Sequence, residues 1–143
     1  MMDENIINSL EAEIVTGKSN CIIVTSDDVF RFSLPGVKTL LTLLKEDPSL
    51  LKDSVVFDKI VGKGAAALLI LGKVKKVYAE LISDNAIALL NKHAMNFSYG
   101  ERVPFIQNKS QTGLCPIESL AITSDDPSEI HLRIRDFISS VKS

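Results

Sequence analysis

The stretch VKKVYAELISDNAIALLNKHA, residues 74–94, decides the fold of this chain. Its first half is rich in β-branched and aromatic residues and has apolar side chains on both faces, which is typical of an interior strand covered on each side. Ser83 suits the cap of a following helix that has Asp84 in its first turn. Lys92 and His93 fall in the last turn, where cations complement the helix dipole. The stretch therefore predicts a β-to-α crossover and a layered α/β fold.

Upstream of this crossover, apolar spacing and turn residues predict five more elements. The first helix should end at Gly17, and three polar residues join the two strands of a β-hairpin. Pro35 and Gly36 break the chain before the second helix. The helix over 58–71 is predicted in spite of its two internal glycines. The predicted elements are a helix over 4–15, strands over 21–25 and 29–34, and helices over 37–47 and 58–71.

Downstream, residues 101–108 have a short strand pattern, with Pro104 indicating an edge or a bulge. A polar loop leads into a helix that starts near Cys115. In the last helix, Asp126 as cap, Pro127 in the first position and Glu129 form a predicted capping box. The element order predicts one domain over 1–143, a three-layer α/β/α structure with a mixed sheet of four to five strands.

Composition excludes several classes of function. Sixteen basic and eighteen acidic residues give a formal charge of −2, so there is no basic excess for nucleic acid. The N-terminus lacks the pattern of a signal peptide, and the longest apolar run, 65–71, is far too short to span a bilayer. We expect a cytoplasmic protein without a membrane partner, whose two cysteines, Cys21 and Cys115, are free thiols.

Four segments carry a resemblance to a known family. They are DKIVGKGAA (58–66), VYAELIS (77–83), VPFIQN (103–108) and CPIE (115–118). With the order of elements, they resemble an uncharacterised bacterial family that has the cytidine-deaminase-like fold. The resemblance covers nearly the whole chain after about Cys21. It implies that fold but no chemistry, because the family has no established activity to carry over.

The zinc motif of true deaminases is missing. Those enzymes need a His or Cys with a following Glu on one helix, and a Pro-Cys-x-x-Cys turn at the start of the next. Residues 58–71 contain no His, Cys or Glu, and Cys115 is followed by Pro116 and then Glu118 instead of a second cysteine. We therefore expect no metal site, no zinc-dependent deamination and no cofactor.

A first candidate site uses the start of the helix predicted over 58–71. Lys59 and Lys63 would stand one turn apart, and Gly62 would leave room for close approach of a ligand. Together with free backbone N–H groups, two ammonium groups there would attract a phosphate or a carboxylate. The alternative is a helix of solvated lysines. Asp58 would cap this helix or, in a functional role, act as an acid or a base.

A second candidate site lies at the helix that starts near Cys115. A thiol at a helix N-terminus gains nucleophilic character, whereas Glu118 could simply bond a free N–H of its own helix. The preceding loop offers ligand-binding groups at Asn108, Thr112 and Gly113, or is only a polar connection. We expect the two helix starts to face each other across one hollow.

Three functions follow as hypotheses. The first is a domain that binds a small anionic or nucleotide-like ligand at the paired helix starts. The second is a metal-independent enzyme that uses Cys115 or Asp58. The third is a regulatory or interaction module with a degenerate site, which could form a homodimer through that surface. Glu80, in the predicted interior strand, would need a partner if buried, with Lys59 or Lys63 as candidates.

Overall fold

A five-stranded mixed sheet forms the centre of the molecule in the computed structural model, which describes residues 2–108 and 110–142. The strand order is β2-β1-β3-β4-β5. The first three strands in this order pair antiparallel, and β3, β4 and β5 pair in parallel. Their bounds are β1 Cys21–Val24, β2 Val29–Phe32, β3 Val55–Val61, β4 Lys76–Ser83 and β5 Asn96–Val103.

Helices cover both faces of this sheet, which confirms the predicted three-layer architecture. One helix, α1, packs on one face, while α2, α4 and α5 pack on the other; α6 and α7 lie outside α4. The smaller α3 follows α2. Their bounds are α1 Glu4–Val15, α2 Gly36–Glu46, α3 Pro48–Leu51, α4 Lys63–Leu71, α5 Asp84–Lys92, α6 Pro116–Ala121 and α7 Pro127–Lys142.

Alternation along the strands divides the core in two. Ile22 and Phe57 point towards α1, where they meet Leu10 and Ile14. Their strand neighbours belong to the larger cluster on the other face, which is built around α4. That helix, KGAAALLIL, is apolar on every side because α2, α5, α6 and α7 surround it. Such a helix is held by packing and needs no polar face.

The predicted interior strand and its crossover are confirmed. β4 lies between β3 and β5, and the Ser83 hydroxyl accepts a hydrogen bond from the N–H of Ala86 at the start of α5. The hairpin and the first helix are confirmed as well. At α7, Asp126 accepts from the N–H of Ser128, but the predicted capping box is wrong, because Glu129 pairs with Arg133.

Two element assignments are wrong. The segment 58–71 is not one helix: residues 55–61 form β3, and α4 begins only at Lys63. In a central strand that is buried on both faces, polar and apolar residues do not alternate, so the spacing of its apolar residues can match that of a helix. The strand predicted over 101–108 is shifted, since β5 occupies Asn96–Val103 and ends before Pro104, which cannot donate to a sheet. No described helix is long and apolar enough to cross a bilayer.

Candidate functional site

A cavity of about 580 Å³ opens at the carboxyl end of β3. Its wall is formed by the end of β3, the first turns of α2, α4 and α6, and the segment after β5. Ligands of open α/β sheets gather at the carboxyl ends of the strands, and this volume falls within the usual range for small-molecule sites. The predicted meeting of the α4 and α6 starts across one hollow is confirmed.

Asp58 is one of two buried acids that line this cavity. It lies in β3, only 1% exposed, and its carboxyl group packs against Gly36 at the start of α2. Its Oδ2 has no hydrogen-bond partner among the described residues. Burial raises the pKa of Asp58 to about 7, against the lowering effect of the backbone N–H groups of Ile60 and Lys59. The predicted role of Asp58 as a helix cap is wrong, because the residue lies within a strand.

Glu118 fills the place that an external anion was predicted to occupy. It is 1% exposed, and its Oε1 accepts from the N–H of Lys63 at 2.7 Å and from the Ser83 hydroxyl at 3.2 Å. Its Oε2 accepts from the N–H of Ile106 at 2.6 Å. Glu118 therefore does not cap its own helix; it joins α6 to the first turn of α4, to the end of β4 and to the segment after β5.

The two lysines do not converge, so the predicted helical lysine pair is wrong. Lys63 turns away from the cavity: its Nζ lies 2.9 Å from Asp125 Oδ1 and 3.2 Å from the carbonyl oxygen of Ile122. Lys59 is on β3, where its Nζ approaches Gly17 at the end of α1. A lysine at a helix C-terminus complements the helix dipole, which accounts for Lys59 structurally.

The loop before α6 contributes less than predicted. Asn108 lines the cavity, but its Oδ1 accepts from the N–H of Thr112 at 3.0 Å and its N–H donates to the carbonyl oxygen of Gly113 at 2.9 Å. Thr112 and Gly113 do not line the cavity; they close the loop on itself. Lys109, part of the predicted polar loop, lies outside the described residues.

The two thiols differ in environment, and both are free. Cys21 faces Asp58 across the β1–β3 pair. The pKa of the Cys21 thiol is raised mainly by burial and also by the charge of Asp58. It is therefore a poor nucleophile at neutral pH. Cys115 is half-buried, lines the cavity and is the N-cap residue of α6. Neither histidine of the chain lines the cavity with it.

Glu80 does not have its predicted partner. Its Oε2 is buried without a hydrogen-bond partner among the described residues, and it forms no ion pair with Lys59 or Lys63. It lines a small hollow of about 70 Å³ between α1 and the sheet.

A family model described as "TM1506: Domain of unknown function (DUF1893)" matches residues 7–138. The chain belongs to this family. A crystal structure of a TM1506 (DUF1893) protein from Thermotoga maritima is 31% identical, with a TM-score of 0.81 over 98% of this chain and 92% of that chain. No curated protein matches the chain. The predicted resemblance to an uncharacterised family is thus confirmed at the level of the family.

In this DUF1893 member, the cavity is completed by residues that no sequence motif marks as candidates. Gly36 and Lys38 at the start of α2 line it, as does Asn20 before β1. The Pro35-Gly36 pair was visible in the sequence as a chain break, but its contact with Asp58 depends on tertiary packing. Within residues 2–108 and 110–142, no three His, Cys, Asp or Glu side chains come together in a way that could hold a metal ion.

Proposed function

We propose that this chain binds a small organic molecule in the cavity at the end of β3. The observation that carries the proposal is the unpartnered, buried Oδ2 of Asp58 in the wall of a cavity of about 580 Å³. Leaving a buried polar atom unpaired costs roughly 1–3 kcal/mol, so a fold that retains one at a cavity gains if a ligand supplies the partner. A strongly perturbed pKa in a concave site also supports a functional role.

The predicted negative charge of the ligand has less support than its predicted small size. Glu118 already occupies the first turn of α4, and Lys63 is paired with Asp125. Among the described residues that line the cavity, only Lys38 and Lys59 carry a positive charge. A nucleotide-like ligand would have to place its phosphate near these two side chains and away from Asp58.

A fragment screen by thermal shift and by protein NMR tests the proposal. The wild-type chain is compared with Asp58→Asn and with Asp27→Asn, a matched change in the exposed β1–β2 turn. We expect hits that shift the amide signals of Ile60 and Ile106, and whose stabilisation falls at least severalfold in Asp58→Asn but not in Asp27→Asn. An absence of hits at millimolar concentration, or hits that map elsewhere, would refute it.

A second candidate is a metal-independent enzyme in which Asp58 moves a proton. The specific observation is its pKa of about 7, because a general acid or base works best when its pKa is near the working pH. Cys115, in the same cavity, is the candidate nucleophile. Hits from the screen are incubated with the protein and followed by mass spectrometry. Conversion that is lost in Asp58→Asn would support the enzyme, and unchanged compounds would leave binding alone.

Further sequence-based predictions accompany this proposal. We infer a bacterial, cytoplasmic protein with a cytidine-deaminase-like fold, a fold supported by the mixed sheet in the order β2-β1-β3-β4-β5. Its partners are a small ligand and a second copy of the chain, without nucleic acid or membrane, in keeping with the formal charge of −2. The open cavity favours ligand binding over an interaction module with a closed, degenerate site.

A further inference from the structure

The charges around the cavity are arranged unequally. Two buried carboxyl groups, Asp58 and Glu118, line it, and the second is saturated by three donors. The first forms no ion pair with any described cation. Lys63 does not pair with Asp58, since its Nζ is held by Asp125 and by the Ile122 carbonyl oxygen. The inner wall of the cavity thus contains a buried carboxyl oxygen, Asp58 Oδ2, to which no described residue donates a hydrogen bond.

The rest of the wall is largely apolar. Val37 on α2, Ile60 on β3, Ile106 after β5 and Ile117 on α6 contribute branched side chains. Ile60 is itself 44% exposed, although it is a large hydrophobic residue. Branched apolar walls around a few polar groups are typical of sites for compact organic molecules. A ligand with an apolar or aromatic body would cover this surface.

We propose, building on the proposed function, that the ligand is a nitrogen base, an amine or amidine with an apolar or aromatic body, whose N–H groups pair with the Asp58 carboxylate. A charge-assisted N–H···O⁻ bond is stronger than a neutral one, and an amidine can bond both carboxylate oxygens. Asp58 is already removed from water in the free protein, so the ligand meets a carboxyl group whose desolvation cost was met during folding. An anionic group at the same place would be repelled by the ionised Asp58 carboxylate.

The pH dependence of binding follows from this pairing. The titratable groups around Asp58 are Cys21, which is opposite it in the β1–β3 pair, Lys59, which is next to it on β3, and Lys38 on α2 and Glu118 on α6, which line the same cavity. The pKa of Cys21 is raised above its ordinary value, so it stays a thiol near neutral pH. With the pKa of Asp58 at about 7, its ionised fraction increases from about one in eleven at pH 6 to about ten in eleven at pH 8. The affinity for a permanent cation therefore increases about tenfold between these pH values.

Three isosteric probes test the ligand class: benzamidine as the cation, benzamide as the neutral form and benzoate as the anion. Dissociation constants are measured by NMR titration at pH 6, 7 and 8 for wild type, Asp58→Asn and the Asp27→Asn control. We expect benzamidine to bind the wild type at least tenfold more tightly than benzamide at pH 8, with benzoate weakest. The advantage and its pH dependence should disappear in Asp58→Asn and persist in Asp27→Asn.

The outcomes separate the ligand class from the proposed function. Equal binding of the three probes in the cavity, independent of pH, would overturn the nitrogen-base class and leave small-molecule binding intact. Tighter binding of benzoate would do the same. If no probe and no compound of the wider fragment screen shifts the cavity amides, both proposals fail. The pH series on the wild-type chain needs no variant, so it decides the class even if Asp58→Asn folds poorly.

Discussion

At the scale of single residues, the contact between Gly36 and Asp58 sets the shape of the cavity. A Cβ at position 36 would lie 2.0 Å from Asp58 Oδ2 and 2.6 Å from Oδ1, on a short side chain fixed in a central strand. We expect Gly36→Ala to lower the free energy of unfolding by about 1–3 kcal/mol, the usual cost of overpacking. Urea denaturation measures it. The matched control is Gly113→Ala, where a Cβ would meet nothing within 4 Å.

A double-mutant cycle attributes this cost to the carboxyl group. Adding Asp58→Ala to Gly36→Ala removes the obstructing atoms, so the glycine substitution should cost much less in that background. An equal cost in both backgrounds would show that the helix start itself, and not Asp58, requires glycine at position 36.

At the scale of elements, Glu118 connects α6 with α4, with β4 and with the segment after β5. Glu118→Ala leaves three donors without a partner. The N–H groups of Lys63 and Ile106 form the two shortest of these hydrogen bonds. We expect a loss of about 3–5 kcal/mol of unfolding free energy, as when one partner of a buried charged contact is removed. Amide hydrogen exchange at Lys63 and Ile106 should accelerate together. Glu129→Ala, which removes an exposed helical ion pair, should cost less than about 1 kcal/mol.

The conservative variant Glu118→Gln refines this test. An amide keeps one accepting oxygen but presents an NH₂ group to the remaining N–H donor. We expect a loss between those of wild type and Glu118→Ala. A stability equal to wild type would show that the carboxylate charge is not needed at the start of α4.

At the scale of the whole molecule, local sequence patterns predicted the layers and the place of the cavity, but not the contacts that its side chains make. The Ser83 cap, the hairpin and α7 were found because their determinants lie within a few residues of each other. β3 was missed because Ile60, Gly64 and Leu68 happen to follow helical spacing, which concealed the strand that holds Asp58. The hydrogen bond between Glu118 and the N–H of Lys63 was missed because the two residues are 55 positions apart in the sequence. The packing of Asp58 against Gly36 was missed because the two residues lie on different elements. Such contacts exist only once the fold has formed.

The stability of the whole molecule should depend on pH through Asp58. Its pKa is about 7 in the folded chain, whereas the ordinary value is 3.8. Between pH 3.8 and pH 7, the folded state therefore keeps a proton that the unfolded state has released. The stabilisation from the neutral carboxyl group is complete below about pH 4 and is lost as the pH rises through 7. Its full size is on the order of 4 kcal/mol, since one pKa unit corresponds to about 1.4 kcal/mol.

The variant Asp58→Asn isolates this contribution, because its side chain is neutral at every pH. We expect the variant to gain stability relative to wild type as the pH rises from 4 to 8, in urea denaturation at each pH. Asp125→Asn provides a control of opposite sign: the Lys63 ammonium, through a hydrogen bond and its charge, lowers the pKa of Asp125. Its substitution should cost stability at neutral pH and nothing in acid, where the carboxyl group is protonated in both states.

A difference between Asp58→Asn and wild type that stays constant from pH 4 to 8 would show that Asp58 is ionised in the folded chain. The acid in the cavity would then be an ordinary carboxylate, and the pH dependence expected for benzamidine binding would be lost with it.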